Sequence, residues 1–447
     1  MRNLSFLLGI VLMGILSYSC SEDYEPAMTD SPEDATAKSR CITPEQASRN
    51  VMAFIDALEK SNSEKSRSIV KREISNVRAI TVNLSSRFQN PPSGNSDTLL
   101  YIVNFADSAG FAIAGAFPNG EPIYALVDHG NYSLDMLNTE SNIGFTIYLK
   151  FAMQNILNDI SNGGVDTGTG GGNAGGSSGG STNPPSSDPT LQEWEIYKVY
   201  EPKLSTKWSD GSLTRESYGK YCLNKKTGAA AVAAAQILSY FKTPSSVTWY
   251  DNTKLYYSQL NWTQIIADSK RYNGRLDVGG TPTSLDQVAH LCKYLGKEFG
   301  AKYGYEYNNY NQLVNKTTIK FDKAVEWFKT KSSLNAAVIR NYNEYDIINA
   351  VINNNLVFAS GKSSASTDDD SYAWVIDGMI KAKRNGNDCN LFHCNWGMEE
   401  DRNGYYLGTP YDTNKGPEIR DDLKPLGPLK AAGAVANSTI QYSVISN

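Results

Sequence analysis

The sequence predicts an α+β protein in two domains, and three observations carry that reading. Helical periodicity comes before strand alternation in each half of the chain. A tract made almost wholly of Gly, Ser, Thr, Asn and Pro, residues 163–189, separates the halves. The 27 Tyr and 7 Trp among 447 residues favour a β-rich or mixed architecture over a purely helical one. A chain of this length exceeds one ordinary core, so two domains with substantial apolar interiors are expected.

Residues 1–20 have the form of an export signal. Arg2 precedes the apolar run Leu4 to Leu16, which is shorter than the roughly 20 residues a membrane-spanning helix needs. Leu16-Ser17-Tyr18-Ser19-Cys20 resembles a loose lipobox, in which signal removal leaves Cys20 as the acylated N-terminus. Ser21-Glu22-Asp23 follows and resembles the surface-export signal of bacterial lipoproteins. The expectation is a surface or outer-membrane protein held by lipid at Cys20; an ordinary secretion signal ending in a Cys is the alternative. Residues 21–40 then form a tether.

From Thr43 the chain turns helical. Thr43 as N-cap, Pro44 at the first helical position and Gln46 three residues after the cap start a helix. Ala47, Val51, Phe54, Ile55 and Leu58 mark its apolar face. The stretch Lys60 to Arg72 is broken by Glu64 and several Ser and reads as a solvated helix face or linker. A three-stranded meander follows, Leu99 to Phe105, Phe111 to Phe117 and Ile123 to Val127, with turns at Asp107 to Gly110 and Pro118 to Gly120. Asn142 to Ile160 supplies a closing helix. Residues 41–162 are thus expected to form a small α+β domain. The 163–189 tract cannot bury enough apolar area to offset ordering entropy. As a flexible tether its span is on the order of 30 Å, from roughly 5–6 Å × √n.

The second domain, residues 190–447, centres on Lys226 to Pro244. Thr227 is placed to cap a helix whose small side chains allow close approach on nearly every face, hence a buried central helix. Leu285, Val288, Ala289, Cys292 and Leu295 space a second helix, and Ala324, Val325 and Phe328 a third. Leu356 to Ser360, Ala373 to Ile376, Asn390 to Trp396 and Gly404 to Leu407 read as an antiparallel sheet packed on the central helix.

Several classes are excluded or disfavoured. A net charge of −5 gives no basic footprint for nucleic acid. Five Cys follow Cys20, namely Cys41, Cys222, Cys292, Cys389 and Cys394. An odd number without a C-x-x-C pair indicates neither a disulfide framework nor zinc, although export leaves room for one bridge. No cofactor is expected. Asp368-Asp369-Asp370 reads as a solvated loop, with calcium as the alternative.

Five segments in register carry a family resemblance. Thr98 to Asp128 is similar to the prodomain of the streptopain family of cysteine peptidases, which also occurs alone as an inhibitor. Pro202 to Gly211 (PKLSTKWSDG), Thr227 to Pro244, Tyr372 to Gly378 (YAWVIDG) and Asn390 to Tyr406 are similar, in order, to the peptidase domain. The resemblance implies a papain-like domain of the streptopain type behind a prodomain-like one. It also assigns positions. Where the family reads T-G-C-V-A-T-A-M-A-Q, Ala229 stands at the nucleophile. Tyr372 stands where G-H-A-x-V-I-D-G carries the base, and Asp210 where the Gln of W-x-Q supports the oxyanion. Asn395 and Trp396 match the residue that orients the His and its neighbour, and Met398-Glu399-Glu400 replaces W-G-G.

That chemistry needs a thiolate stabilised by a helix N-terminus and an imidazole to move the proton. Alanine offers no nucleophile, and a phenol with reference pKa about 10 is a poor base at neutral pH. Cys222 and His393 match structural positions of the family, and His290 lies on a predicted helix face; His393 and Cys394 face opposite sides of a strand. The chain is therefore read as a catalytically inactive homologue with two binding sub-readings, a groove for extended peptides or a prodomain-like part that restrains an active paralogous peptidase. Membrane contact is expected through the N-terminal lipid only. The rival is an active cysteine endopeptidase, or another hydrolase built on Asp210 and Tyr372.

Overall fold

The capping box foreseen at Thr43 forms: the Thr43 N–H donates to Gln46 Oε1 at 2.7 Å and the Gln46 N–H to Thr43 Oγ1 at 3.2 Å. It opens α1, Pro44–Ser63, in a computed structural model that describes residues 41–63, 72–81, 98–136, 142–161, 193–210, 226–271, 273–276, 282–307, 312–362, 371–412 and 439–447. The export signal with Cys20, the 21–40 tether, the 163–189 tract, Cys222 and the Asp368-Asp369-Asp370 run lie outside the described residues.

The N-terminal part continues with β1 (Ile74–Thr81), the meander β2 (Thr98–Phe105), β3 (Phe111–Gly115) and β4 (Ile123–Val127), and α2 (Ile143–Ser161). The β2, β3 and β4 side chains are buried throughout, so these strands are covered on both faces. Strand β1 lies in a polar stretch that the apolar pattern did not mark, and it pairs antiparallel with β2.

After β5 (Trp194–Tyr200) comes α3 (Ala229–Phe241), the expected central helix. Its residues Ala230 to Ser239 are all buried. Two hairpins flank the next helices: β6 (Ser246–Asp251) with β7 (Lys254–Gln259), and β8 (Lys302–Tyr307) with β9 (Leu313–Thr318). Between and after them lie α4 (Trp262–Arg271), α5 (Pro282–Glu298) and α6 (Phe321–Thr330). Short β10 (Asn335–Ala336) and β11 (Arg340–Asn341) precede α7 (Glu344–Ile352), capped by the Asn343 side chain. Then β12 (Leu356–Lys362), β13 (Tyr372–Arg384), β14 (Asn387–Asn395), β15 (Gly404–Leu407) and β16 (Thr439–Ser446) complete the chain.

Apart from the β6–β7 and β8–β9 hairpins, each a two-stranded sheet of its own, the strands form one antiparallel sheet in the order β1-β2-β3-β4-β15-β14-β13-β12-β16-β10, with β11 joined to β16 and β5 to β13. The meander is thus continuous with the C-terminal strands through β4 and β15, where Val127, Leu126 and Ala125 face Gly404, Tyr405 and Tyr406. A Cβ on Gly404 would sit 2.4 Å from the Leu126 carbonyl oxygen, so this approach requires glycine. One core cluster joins α1, the meander and α2 to Trp374, Trp396 and Tyr406; a second surrounds α3. The architecture is α+β.

One local expectation is corrected. Gly228, with φ 92°, is the N-cap of α3 and no side chain caps it. Thr227 instead turns its hydroxyl to Asp210 Oδ1 at 2.9 Å. The positive φ favours glycine at this cap, and a Cβ on Gly228 would meet Ile319 Cδ1 at 2.8 Å.

Candidate functional site

The N-terminus of α3 and the adjoining ends of β13 and β14 bring four of the five family positions into one neighbourhood. Ala229 is the first residue of α3 and packs, partly buried, against the core cluster that contains Tyr372 and Trp396. Asp210 lies before it: its Oδ1 accepts from the Gly228 N–H at 2.6 Å and from Thr227 Oγ1. The carboxyl group therefore accepts from the N-cap N–H at the head of α3, a position favourable for an anion. Burial pushes the Asp210 carboxyl above its usual range, opposed by Lys226 and by these hydrogen bonds.

Tyr372, the first residue of β13, is buried. Its hydroxyl donates to the Trp396 carbonyl oxygen at 2.7 Å. Burial, then the nearby Asp210 and Asp401 carboxylates, raise its pKa well above the usual phenol value. Trp396 is itself fully buried, with Nε1 donating to the Arg402 carbonyl at 2.8 Å and rings of Trp374 and Tyr406 at 5.2 and 5.1 Å.

Asn395 belongs to a different set of contacts. Its Nδ2 donates to the Thr206 carbonyl at 3.1 Å and to Gln236 Oε1 at 3.3 Å. Its Oδ1 accepts from Gln236 Nε2 and from the Gly397 N–H, both at 3.1 Å. Gln236 Oε1 also accepts from the Trp208 N–H. This amide pair fastens β14 to α3 and to the 206–208 segment, and every polar atom of Asn395 is used. The side chain of Asn395 has no hydrogen bond to Tyr372 among the described contacts.

Gln236, Asp128, Gly144 and Arg402 have no role in the sequence reading, and Asp377, there taken with Gly378 as a retained turn of the scaffold, lies within β13. Gln236 stood in the quoted α3 frame, and Asp377 and Asp128 ended or lay within quoted segments, so the frame itself held the signal. His393 is the hydrogen-bonded sheet histidine expected: Nδ1 lies 2.6 Å from Asp377 Oδ1 and Nε2 3.4 Å from Asp128 Oδ2. Cys394 faces away from it, toward the Tyr411 hydroxyl at 3.3 Å. His290, on α5, is half-buried and its Nδ1 lies 2.9 Å from Ser258 Oγ. Cys41, Cys292, Cys389 and Cys394 are buried. Burial pushes the Cys292 and Cys389 thiols up to about 12, which removes both as nucleophiles at neutral pH. Among the described residues no group of three His, Cys, Asp or Glu is placed to hold a metal ion, and no helix is long and apolar enough to cross a membrane.

The α2 helix covers this neighbourhood. Asn142 Oδ1 accepts from the Phe145 N–H as an N-cap, and its Nδ2 donates to the Asp401 carbonyl at 2.9 Å. Gly144 in that first turn packs on the Trp396 and Tyr372 rings.

Residues 194–406 match the model of the Peptidase C10 family, which is the streptopain family. The fold is similar to the solved structure of a prointerpain A fragment from Prevotella intermedia, at 16% sequence identity and a TM-score of 0.47. That match covers 84% of this chain and 98% of the other. No curated protein matches the sequence.

Proposed function

We propose that this chain, whose residues 194–406 belong to the Peptidase C10 family, is a non-catalytic member of it that acts by binding, as a lipid-anchored surface protein. The observation that carries the reading is the occupancy of the two reacting positions. Ala229 has no lone pair at the head of α3, and Tyr372 spends its proton on the Trp396 carbonyl at 2.7 Å. A buried phenol whose pKa lies above the ordinary value is further from acting as a base than a free one. Asp210 Oδ1 accepts from the Gly228 N–H at the head of α3, and in its ionised form it repels a developing oxyanion. Losing one oxyanion donor costs about 10²–10³ in turnover, and losing a triad nucleophile about 10⁶. The ligand class is a peptide or a partner peptidase.

Hydrolysis assays test this reading. The purified chain is expected to leave casein and small peptide esters intact, and a thiol-reactive epoxide is expected to label nothing at position 229. Cleavage that persists in Cys222→Ser after rigorous purification would show that another group does the chemistry. Anchoring has its own test, since Cys20 is the expected acylation site. Cys20→Ser is expected to move the protein from the membrane fraction to the soluble one; unchanged fractionation would remove the lipid from the proposal.

A further inference from the structure

We infer that a cavity between the end of α5, the β8–β9 hairpin and the start of α6 is a second binding site, one that takes a compact polyanion bearing two or more adjacent phosphate or sulfate groups. The inference goes beyond the non-catalytic reading and does not rest on it.

The cavity, about 290 Å³ in volume, is lined by Lys297, Lys302, Lys320 and Lys323. That volume lies at the lower end of small-molecule pockets, roughly 300–1,000 Å³. The four lysines come from three separate places in the chain. Lys297 stands in the last turn of α5, after which the chain reverses at Gly300, with φ 68° and the Ala301 N–H donating to the Gly296 carbonyl at 2.8 Å. The reversal sets Lys302, the first residue of β8, on the same cavity as Lys297. Lys302 lies opposite Thr318 of β9, which also lines the cavity. Lys320 is the N-cap residue of α6, and Lys323 follows three residues later, a spacing that puts both on one face. Phe299, 1% accessible and edge-on to Trp327 at 5.8 Å, fixes one wall. A Cβ added at Gly300 would meet nothing within 4 Å, so the cavity is open on that side.

Charge selects the ligand. Four ammonium groups around one concavity repel one another, and like charges at the spacing of Lys320 and Lys323 weaken a helix. Glu298, the one acid among the lining residues, is already paired with Lys331 Nζ at 2.6 Å. The bias is regional: residues 293–331 hold eight Lys against four Asp or Glu, in a chain whose net charge is −5. A solvated charge run would follow one helix face; these lysines converge on a cavity instead, and sequences break local electrostatic rules chiefly where function requires it. A monovalent anion compensates little of this charge. Two adjacent phosphate or sulfate groups reach several ammonium groups at once, and Lys suits them as a point charge.

The cavity is distinct from the head of α3. A Cβ on Gly228 would meet Thr317 Cγ2 at 3.1 Å and Ile319 Cδ1 at 2.8 Å, and Thr317 Oγ1 donates to the Lys226 carbonyl at 2.9 Å. Thr318, between those two residues, faces the other way, into the cavity.

The test is calorimetric titration of the full chain with pyrophosphate and, separately, with a disaccharide carrying two sulfate groups. At least one is expected to bind at a single site and more tightly than orthophosphate, the stronger arm telling phosphate from sulfate, and binding should weaken steeply between about 0.05 M and about 0.5 M salt. Lys320→Gln with Lys323→Gln is expected to weaken it about tenfold. Lys254→Gln with Lys270→Gln removes the same charge from lysines that do not line the cavity and should leave it unchanged; all four side chains are exposed, so folding is not at stake. Equal loss in the two double variants would reduce the cavity to general basic surface and overturn the inference. So would no binding of either probe, binding no tighter than orthophosphate, or preference for a single-stranded oligonucleotide over both. None of these results bears on the hydrolysis assays above, so the two readings are judged separately.

Discussion

His393→Leu is expected to lower the unfolding free energy by about 3–5 kcal/mol, the cost of stranding one partner of a buried ion pair. Asp377 is fully buried, with Oδ1 2.6 Å from His393 Nδ1 and Oδ2 accepting from the Leu204 N–H at 2.9 Å. Leucine fills the volume but leaves Asp377 with that single donor. His393→Leu with Asp377→Leu is expected to lose less than His393→Leu alone, because no fully buried charge of the pair is then left unpaired. The effect has a pH signature. Burial alone would lower the His393 pKa, but the Asp377 carboxylate, followed by Asp128, outweighs burial and raises it from 6.5 to about 10. A pKa higher in the folded state stabilises fully below pH 6.5, and that stability is lost as pH rises toward 10. Denaturant unfolding at pH 6, 8 and 10 should show the wild type losing stability relative to the variant across this window. Taking the difference between the two proteins cancels Lys150, whose ammonium burial holds at about 8. Parallel stability profiles for wild type and variant would refute the assignment.

Most of the elements that build the site were legible in the sequence, and for physical reasons. The Thr43, Pro44 and Gln46 start signal is local chemistry, and it produced the two reciprocal hydrogen bonds of α1. The meander and the C-terminal strands followed from apolar runs bounded by Gly and Asn, and their bounds agree to within a few residues except that β13 extends on to Arg384. The elements missed were those whose apolar residues are few or shared between faces. Strand β1 has one fully buried residue, Ile80. The β6–β7 and β8–β9 hairpins expose Tyr250, Tyr257, Tyr305 and Tyr307, so alternation there does not separate an inside from an outside. Strand β16 follows a long stretch without apolar pattern and is placed by pairing with β12, a non-local event.

The site divides along the same line. That Ala229, Tyr372, Asp210 and Trp396 are neighbours follows from the family frame, which fixes order and register. What each side chain contacts was not legible, because it depends on partners from distant segments. Asp210 accepts from the Thr227 hydroxyl, 17 residues away, and from the Gly228 N–H. Asn395 is consumed by Gln236, 159 residues away. The stacking of the Arg402 guanidinium over the Phe145 ring and the Gly144 contact join residues more than 220 positions apart, and no periodicity within a window could announce them.

Gly144→Ala is expected to destabilise the protein by about 2 kcal/mol, although in an isolated helix it would stabilise by about 1 kcal/mol. The sign turns on what the added methyl meets. A Cβ at 144 would sit 2.3 and 2.9 Å from Trp396 Cε3 and Cζ3 and 2.9 Å from Tyr372 Cε1, all closer than real contacts allow. Neither ring can move aside cheaply. Trp396 is pinned by its Nε1 hydrogen bond to the Arg402 carbonyl and lies between Trp374 and Tyr406. Tyr372 is tied by its hydroxyl to the Trp396 carbonyl. The first turn of α2 must therefore lift, straining the Asn142 bond to Asp401, and overpacking of this kind costs about 1–3 kcal/mol or more. Gly144→Leu should cost more again and shift tryptophan emission to the red as water reaches Trp396. The decisive arm is compensation: Trp396→Phe removes the crowded part of the indole, so Gly144→Ala should be better tolerated in that background than in the wild type. A Gly144→Ala protein that melts higher than the wild type would mean that α2 does not press on these rings.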